Sequence, residues 1–216
     1  MPCDRLHRTT FAKLIQEKIL EIGDGYRAKN EELSAVGLPF ARAGNIDAGF
    51  QFAGADCVPL ELAERLGDKV SRPGDVVFTS KGTVGRFAFV LPSTPRFVFS
   101  PQLCYWRSLN HEIIDPKFLY CWVLSSEFRK QVDSVKGQTD MADYVSLRDQ
   151  RDMLIELPGI IEQRAIARIL GSLNDRIDLN LRTNETLAAL RDTLLPKLLA
   201  GEVRVRDAEK LLETSH

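Results

Sequence analysis

The sequence lacks the features that mark membrane-spanning, secreted and metal-binding proteins. No run approaches the roughly 18–20 apolar residues of a membrane helix, and residues 1–10 lack the apolar stretch of a secretory signal. The four cysteines show no Cys-x-x-Cys spacing, and the three histidines are widely separated. These absences predict a cytoplasmic protein with reduced thiols and without a metal site.

Motifs of nucleotide and methyl-transfer chemistry are also missing. The chain contains no Asn/Asp-Pro-Pro-Tyr/Phe tetrapeptide, no glycine-rich loop suited to S-adenosylmethionine and no Walker motif. His7 and His111 have no serine or cysteine partner in their sequence context. The sequence therefore favours a chain that performs no catalysis and carries no cofactor of its own.

Acidic residues are absent from one long window, although the whole chain has a net charge of −1. Between Asp75 and Glu112 there is no Asp or Glu, and the window is rich in aromatic residues. Its basic residues are Lys81, Arg86, Arg96 and Arg107. We expect the aromatic side chains to lie in buried strands. For the basic residues two interpretations stay open, a DNA-facing edge or a role within the strands.

The residue pattern changes at position 158. Residues 1–158 mix short helical and strand patterns, which predicts a compact domain of the α+β class. Helices are predicted over residues 10–20 (ended by Gly23), 58–67 and 115–135, and strands over residues 38–46, 72–91 and 96–109. The inner side of the third helix is predicted to carry Phe118, Leu119, Trp122, Val123 and Phe128.

Residues 159–216 have a helical pattern throughout their first part. No proline occurs between Glu162 and Leu195, and a helix over residues 162–198 would span about 55 Å. Steps of three and four residues predict a coiled-coil seam with a polar centre. The seam consists of Ile166, Leu170, Leu173, Ile177, Asn180, Asn184, Leu187, Arg191, Leu194 and Leu198.

Several segments, in this order, resemble the DNA specificity subunits of type I restriction–modification systems. Residues 157–205 resemble the family's conserved helical region, with a proline, a Glu-Gln pair, a long helix and a Leu-Leu-Pro-Lys-Leu-Leu close. Residues 74–86 are similar to the Gly-Asp strand and Gly-Thr turn of its target-recognition domain. Residues 38–46 and 136–139 resemble that domain's early strand and late loop.

The resemblance implies a non-catalytic chain that binds double-stranded DNA and recruits methyltransferase subunits. S-adenosylmethionine, ATP and magnesium would belong to those partner subunits, and whether a restriction subunit joins stays open. Family members carry two recognition domains and two antiparallel helices, whereas this sequence has one of each and no internal repeat. It therefore resembles a half-subunit, natural or truncated, which a homodimer would complete.

An antiparallel homodimer is compatible with the predicted seam. Centring the two-fold axis on Asn180 and Asn184 places Ile177 opposite Leu187, and it places apolar residues opposite one another in two further layers. Amides at the centre would set the register at some cost in stability. The alternative is that the seam packs on the recognition domain of its own chain.

Polar residues on loops are the candidates for DNA contacts, because loops can project from a rigid sheet into a groove. Basic residues would bind phosphates, while Arg, Gln and Asn can also read base edges. The candidates are Arg27, Lys29, Arg42, Lys81, Thr83, Arg86, Lys136, Gln138 and Thr139. Each of them taken alone could be an ordinary solvated side chain.

The outer face of the long helix is the predicted surface for methyltransferase subunits. Its polar residues are Glu162, Gln163, Arg168, Asp175, Arg182 and Glu185. Two other functions stay open at this point. One is a stand-alone homodimeric DNA-binding regulator, and the other is a metal-dependent nuclease whose site is assembled from Asp and Glu residues.

Overall fold

A computed structural model describes residues 7–46, 49–82, 84–135 and 145–201. In chain order the strands are β1 (His7–Thr10), β2 (Leu20–Asp24), β3 (Leu38–Ala41), β4 (Cys57–Val58), β5 (Val76–Thr79), β6 (Phe87–Phe89), β7 (Val98–Phe99), β8 (Leu103–Ser108) and β9 (Leu154–Leu157). The helices are α1 (Phe11–Gln16), α2 (Leu60–Arg65), α3 (Pro116–Val123), α4 (Ser126–Val135), α5 (Leu147–Asp152) and α6 (Ile160–Leu199). None of these described helices is long and apolar enough to span a membrane.

Three small sheets organise the domain that precedes the long helix. The central sheet is antiparallel, with the strand order β2-β8-β5-β6. A second sheet has the order β4-β3-β7, in which β3 and β7 run parallel. Strand β1 pairs with β9, so the first described strand lies against the strand that leads into α6. This mixture of sheets and helices agrees with the predicted mixed α/β architecture.

The helix predicted over residues 10–20 is shorter than expected. Thr10 caps α1, its hydroxyl accepting the Lys13 backbone N–H at 3.2 Å, but α1 ends at Gln16. Gly23, predicted to stop that helix, lies instead within β2 opposite Tyr105. A Cβ at this position would come within 2.6 Å of the Tyr105 ring, so a close approach between strands explains this glycine.

Aromatic packing forms the main core, as predicted for the window of strands. The Trp106 ring lies 4.8 Å from Phe11, 5.2 Å from Phe78 and 5.6 Å from Phe128, measured between centroids. The Trp106 indole N–H donates to Gln150 at 2.9 Å, so its polar atom is satisfied inside the core. The residues predicted for the inner side of the third helix are all buried, although two helices, α3 and α4, replace the single one.

Arg107 is buried, so the interpretation that placed it at a DNA-facing edge is wrong. It is 5% exposed, and two of its nitrogens donate to the two Asp75 carboxylate oxygens at 2.7 and 2.8 Å. It also donates to the Glu21 carboxylate at 3.1 Å and to the Val70 carbonyl at 3.2 Å. The guanidinium lies over the Tyr105 ring, 4.7 Å from its centroid. Arg107, a residue of the acid-free window, therefore compensates the charge of Asp75, the acidic residue just before that window.

Burial and pairing with Arg107 have opposite effects on the pKa of the Asp75 carboxyl. Desolvation raises the pKa of the Asp75 carboxyl, while the hydrogen bonds and charge of Arg107 oppose that rise. The Arg72 backbone N–H also donates to this carboxylate, at 2.8 Å. Asp75 is fully buried, so it depends on Arg107 for compensation of its charge.

Gln163 anchors the start of α6 and is not on its outer face, which corrects one residue of the predicted partner surface. It is 1% exposed. Its Oε1 accepts the Asp115 backbone N–H at 3.0 Å, and its Nε2 donates to the carbonyls of Ile113 and Pro158 at 2.9 and 2.8 Å. These bonds satisfy backbone groups that the end of β9 and the start of α3 would otherwise leave unpaired.

Contacts divide the chain into two units, the first ending at Ser172 and the second beginning at Leu173. The beginning of α6 therefore belongs to the first unit, where Ala167 is buried and Ile166 packs partly against the core. In the second unit α6 ends at Leu199 and is followed by Gly201, whose positive φ of 71° is typical of a residue that terminates a helix.

We expect Arg107→Met to lower the free energy of unfolding by about 3–5 kcal/mol, because it leaves the Asp75 charge buried without a partner. Chemical denaturation measures the change. The control is Arg96→Met, since Arg96 is an exposed arginine of the same acid-free window; there the loss should stay within about 0.5 kcal/mol. Equal losses in the two variants would contradict a structural role for the Arg107–Asp75 pair.

Candidate nucleic-acid interface

The turn between β7 and β8 is the meeting point of several predicted DNA-binding segments. Ser100 donates its backbone N–H to the Ala41 carbonyl, at the end of β3, with a length of 2.9 Å. The Phe99 carbonyl accepts the backbone N–H of Tyr26 at 2.7 Å. The glycine loop that follows β2 and the end of β3 are therefore both bound to this turn.

Gln102 connects the same turn to two further loops. Its backbone carbonyl accepts the Ser80 N–H at 3.0 Å, and its side-chain Oε1 accepts the Ala43 N–H at 3.3 Å. Ser80 directly precedes Lys81 in the β5–β6 connection. The sequence analysis missed Gln102, and the signal that could have found it is the neighbouring proline, which interrupts a predicted strand segment with a turn.

We call this group of loops the loop edge. It consists of residues 25–29, 42–46, 79–82, 84–86 and 99–102. The loop edge brings together Arg27, Lys29, Arg42, Lys81 and Arg86, which are all exposed and which come from three separate parts of the sequence.

Gly25 allows the close approach on which the loop edge depends. A Cβ at this position would overlap the backbone carbonyl of Ser100, and backbone atoms cannot rotate away as a side chain can. The absence of a side chain here is therefore a packing requirement of the loops.

Arg86 holds a loop as well as presenting a charge. One terminal nitrogen of its guanidinium donates to the carbonyls of Ala43 and Ile46, at 3.5 and 3.4 Å. Its backbone N–H donates to the Thr79 hydroxyl at 3.1 Å. Both backbone polar groups of Ala43 are thus bound by side chains from other loops, those of Arg86 and Gln102.

Arg42 and Lys29 already have acidic partners. Arg42 donates to the Asp56 carboxylate at 2.7 Å and lies 5.2 Å from the centroid of the Phe40 ring. The Lys29 ammonium lies 3.7 Å from the Glu31 carboxylate. Both ion pairs are exposed, and pairs of this kind contribute little to stability. Exchange of these carboxylates for a phosphate would therefore cost little.

Arg27 and Lys81 are the basic residues of the loop edge without a partner among the described residues. Within the part of the chain that the structure describes, neither side chain makes a hydrogen bond or an ion pair. A long, exposed and unpaired cation suits a phosphate contact.

Four of the predicted contacts, Thr83, Lys136, Gln138 and Thr139, lie outside the described residues. Val145, the first described residue after the last three, donates its backbone N–H to the Ser80 carbonyl at 3.0 Å. Among the described residues, no group of three or more His, Cys, Asp or Glu side chains is placed to hold a metal ion.

A family model described as "Type I restriction modification DNA specificity domain" matches residues 15–189. The chain belongs to this family. The match includes all described loops of the loop edge and most of α6, so the matched region extends from the loop edge into the long helix.

Curated relatives of the specificity-domain chain come from Methanocaldococcus jannaschii. The type I restriction enzyme MjaVIII specificity subunit is 22% identical over 197 residues, covering 88% of this chain and 46% of the relative. The MjaIX specificity subunit is 24% identical over 193 residues, covering 88% of this chain and 43% of the relative. The chain therefore spans about half the length of these curated relatives.

Solved structures show the same fold. The type I restriction–modification S subunit from M. genitalium superposes with a TM-score of 0.64 at 15% identity, covering 93% of this chain and 47% of that one. The HsdS subunit from Thermoanaerobacter tengcongensis superposes with a TM-score of 0.58 at 18% identity, with coverages of 94% and 46%. The chain therefore corresponds in fold to about half of each of these two solved structures.

We expect Gly25→Ala to destabilise the specificity domain by about 1–3 kcal/mol, because the added methyl group forces the Ser100 turn away from the glycine loop. Gly44→Ala is the matched control, since a Cβ there meets nothing within 4 Å. Thermal or chemical unfolding measures both variants. Equal stability of the two alanine variants would show that the approach of Gly25 to Ser100 is not a constraint.

Proposed function

We propose that this chain is the DNA sequence-specificity subunit of a type I restriction–modification system and that it binds one half of a bipartite target. The observation that carries the proposal is the loop edge, whose connected loops carry five exposed basic residues in a chain of the DNA specificity family. The curated relatives are specificity subunits, which favours this function over a stand-alone DNA-binding regulator.

Two kinds of contact would contribute to DNA recognition: contacts to phosphates would position the chain on the duplex, and contacts to base edges would select the sequence. Arg27 and Lys81, which have no partner among the described residues, would contact phosphates, while side chains from the central loops would reach base edges in a groove. Because the loops follow β2 and β5 of the central sheet and β3 and β7 of the second sheet, two sheets would hold them, and the chain would lose little conformational entropy on binding. The chain itself would carry no catalytic role and no cofactor, and its location would be the cytoplasm.

A homodimer would supply the second half-site. Within the second unit Leu173 is 54% exposed and Leu187 is 53% exposed, and both lie on the predicted antiparallel seam. Asn180 and Asn184 are exposed as well. Apolar side chains spaced along one helix face are the pattern that a second helix covers, which supports the dimer although Ile166 packs partly within its own chain.

Methyltransferase subunits would bind the outer face of α6. Glu162 and Arg168 are exposed there, whereas Gln163 is occupied by its three hydrogen bonds. The side chains of Asp175, Arg182 and Glu185 lie outside the described residues. Copurification of a methyltransferase with the tagged chain from its host would distinguish this assembly from a regulator that acts alone.

DNA binding by the loop edge predicts a change in salt dependence for Lys81→Ala. Losing one phosphate contact should reduce the slope of log Kobs against log salt by about 0.9 for each chain. The measurement is a titration of a mixed-sequence DNA duplex at several salt concentrations. Lys13→Ala is the control, because Lys13 is an exposed lysine on α1, outside the loop edge. An unchanged slope for Lys81→Ala would contradict its phosphate contact.

The dimer predicts that the double variant Leu173→Lys/Leu187→Lys is monomeric at micromolar concentration. The two-fold pairing would set a lysine at position 173 against Arg191 of the second copy and a lysine at position 187 against its Ile177. Light scattering measures the mass, and Thr193→Lys on the opposite face of α6 is the control, expected to stay dimeric. Footprinting of the wild type should show two inverted half-sites. A monomeric wild type, or one contiguous asymmetric footprint, would overturn the dimer.

A further inference from the structure

A buried glutamine on α5, Gln150, binds the core with one end of its amide and a chain segment beside the loop edge with the other. It is fully buried. Its side-chain oxygen accepts the Trp106 indole N–H at 2.9 Å, which lies in the core. Its nitrogen donates to the Val145 carbonyl and to the Cys104 sulfur, both at 3.3 Å. The amide therefore connects the core to Val145, the residue just before the N-cap of α5.

Val145 in turn binds Ser80, a residue of the loop edge. Val145 is fully buried, and both of its backbone polar groups are bound. Its carbonyl accepts from Gln150, and its N–H donates to the Ser80 carbonyl at 3.0 Å. The next residue, Ser146, caps α5 by accepting the Asp149 backbone N–H on its hydroxyl at 3.1 Å. The position of Val145 therefore depends on Gln150 and on a capped helix.

Cys104 provides a second connection from Gln150 to Ser80. Burial raises the pKa of the Cys104 thiol, so the S–H group is retained and can donate to the Ser80 hydroxyl at 3.1 Å. Ser80 is followed directly by Lys81, which has no partner of its own among the described residues. The backbone at Ser80 therefore determines where the Lys81 ammonium can reach.

We propose that Gln150 is a positioning residue for DNA binding, which acts through Val145 and Ser80 to hold Lys81 in place for a phosphate of the duplex. This inference rests on the proposed function, since the contact that it supports is the phosphate contact of Lys81. Gln150 itself is fully buried and does not touch the DNA. Without its amide, the Val145 carbonyl loses the bond that orients it, and the Ser80 backbone loses a fixed partner.

The alternative is that Gln150 serves only the core, where it satisfies the Trp106 N–H. Both roles predict a loss of stability when the amide is removed, so stability does not distinguish them. DNA binding does, because a positioning residue has an effect only while the group that it positions is present. The effects of changing Gln150 and Lys81 would then not add in a double-mutant cycle.

The test compares Gln150→Met, Lys81→Ala and the double variant, each as the full chain, in salt titrations of one mixed-sequence DNA duplex. Methionine keeps the side-chain length but removes the amide. We expect Gln150→Met to weaken binding at least about threefold and to reduce the slope of log Kobs against log salt by up to about 0.9, the amount for one phosphate. In the Lys81→Ala background the same change should weaken binding by less than about 1.5-fold.

Gln163→Met is the matched control, because Gln163 is a second buried glutamine whose amide binds with both of its ends. It is 1% exposed, and its partners are backbone groups around the start of α6, outside the loop edge. We expect Gln163→Met to lower stability as well. Its effect on DNA binding should be the same factor with Lys81 and with Lys81→Ala.

Hydrogen exchange in the absence of DNA tests the structural connection by itself. After correction for the global stability of each variant, the Val145 amide should exchange at least about tenfold faster in Gln150→Met and at an unchanged rate in Gln163→Met. Val145→Pro is a second variant, which keeps the glutamine and removes the N–H that binds Ser80. It should reproduce the weaker DNA binding and its dependence on Lys81, even if Gln150→Met does not fold.

Two results would overturn the assignment while the proposed function stands. In the first, Gln150→Met and Val145→Pro bind DNA as the wild type does, or their effects add to that of Lys81→Ala. In the second, exchange of the Val145 amide is unchanged in Gln150→Met. A wild-type chain that does not bind the duplex would instead overturn the proposed function, and the role in DNA binding with it.

Discussion

The buried pair between Arg107 and Asp75 connects the two central strands of the main sheet at one end. Asp75 directly precedes β5 and Arg107 lies near the end of β8, so the bidentate contact supports one alignment of these antiparallel strands. At the other end the same alignment places Thr79 opposite Leu103. A slip of one residue would turn every side chain of a strand to the other face, so the position of the loops depends on this register.

The loop edge follows from that alignment. Ser80 continues β5 and Gln102 precedes β8, so their hydrogen bond extends the ladder by one step beyond the strands. Of the remaining loops, the glycine loop is bound through Phe99 and the loop after β3 through Ser100, Gln102 and Arg86. Structure and proposed recognition are thus linked, because groups that hold the loops together also determine which polar atoms are left for a ligand.

Local pattern predicted the elements whose side chains alternate or repeat regularly. The strands within residues 72–91 and the buried face of α3 and α4 are present as predicted. In both segments the spacing of apolar residues along the chain indicates which side chains are buried. Gly23 and Gln163 were misplaced, and Arg107 was left between two interpretations, for a common reason. Each is determined by a partner far away in sequence, respectively Tyr105, Asp75 and the backbone around Ile113, and no local pattern reveals such a partner.

The sequence by itself determined the family, the mixed architecture and the long helix after Pro158, because these depend on composition, periodicity and the order of motifs. It also indicated all five basic residues of the loop edge. Only the tertiary structure decided which of them are paired and that Arg107 is not among them. It also showed that Gln102 connects two of the loops. The physical reason is that a hydrogen bond depends on distance and direction between atoms, and for distant residues these exist only once the chain has folded.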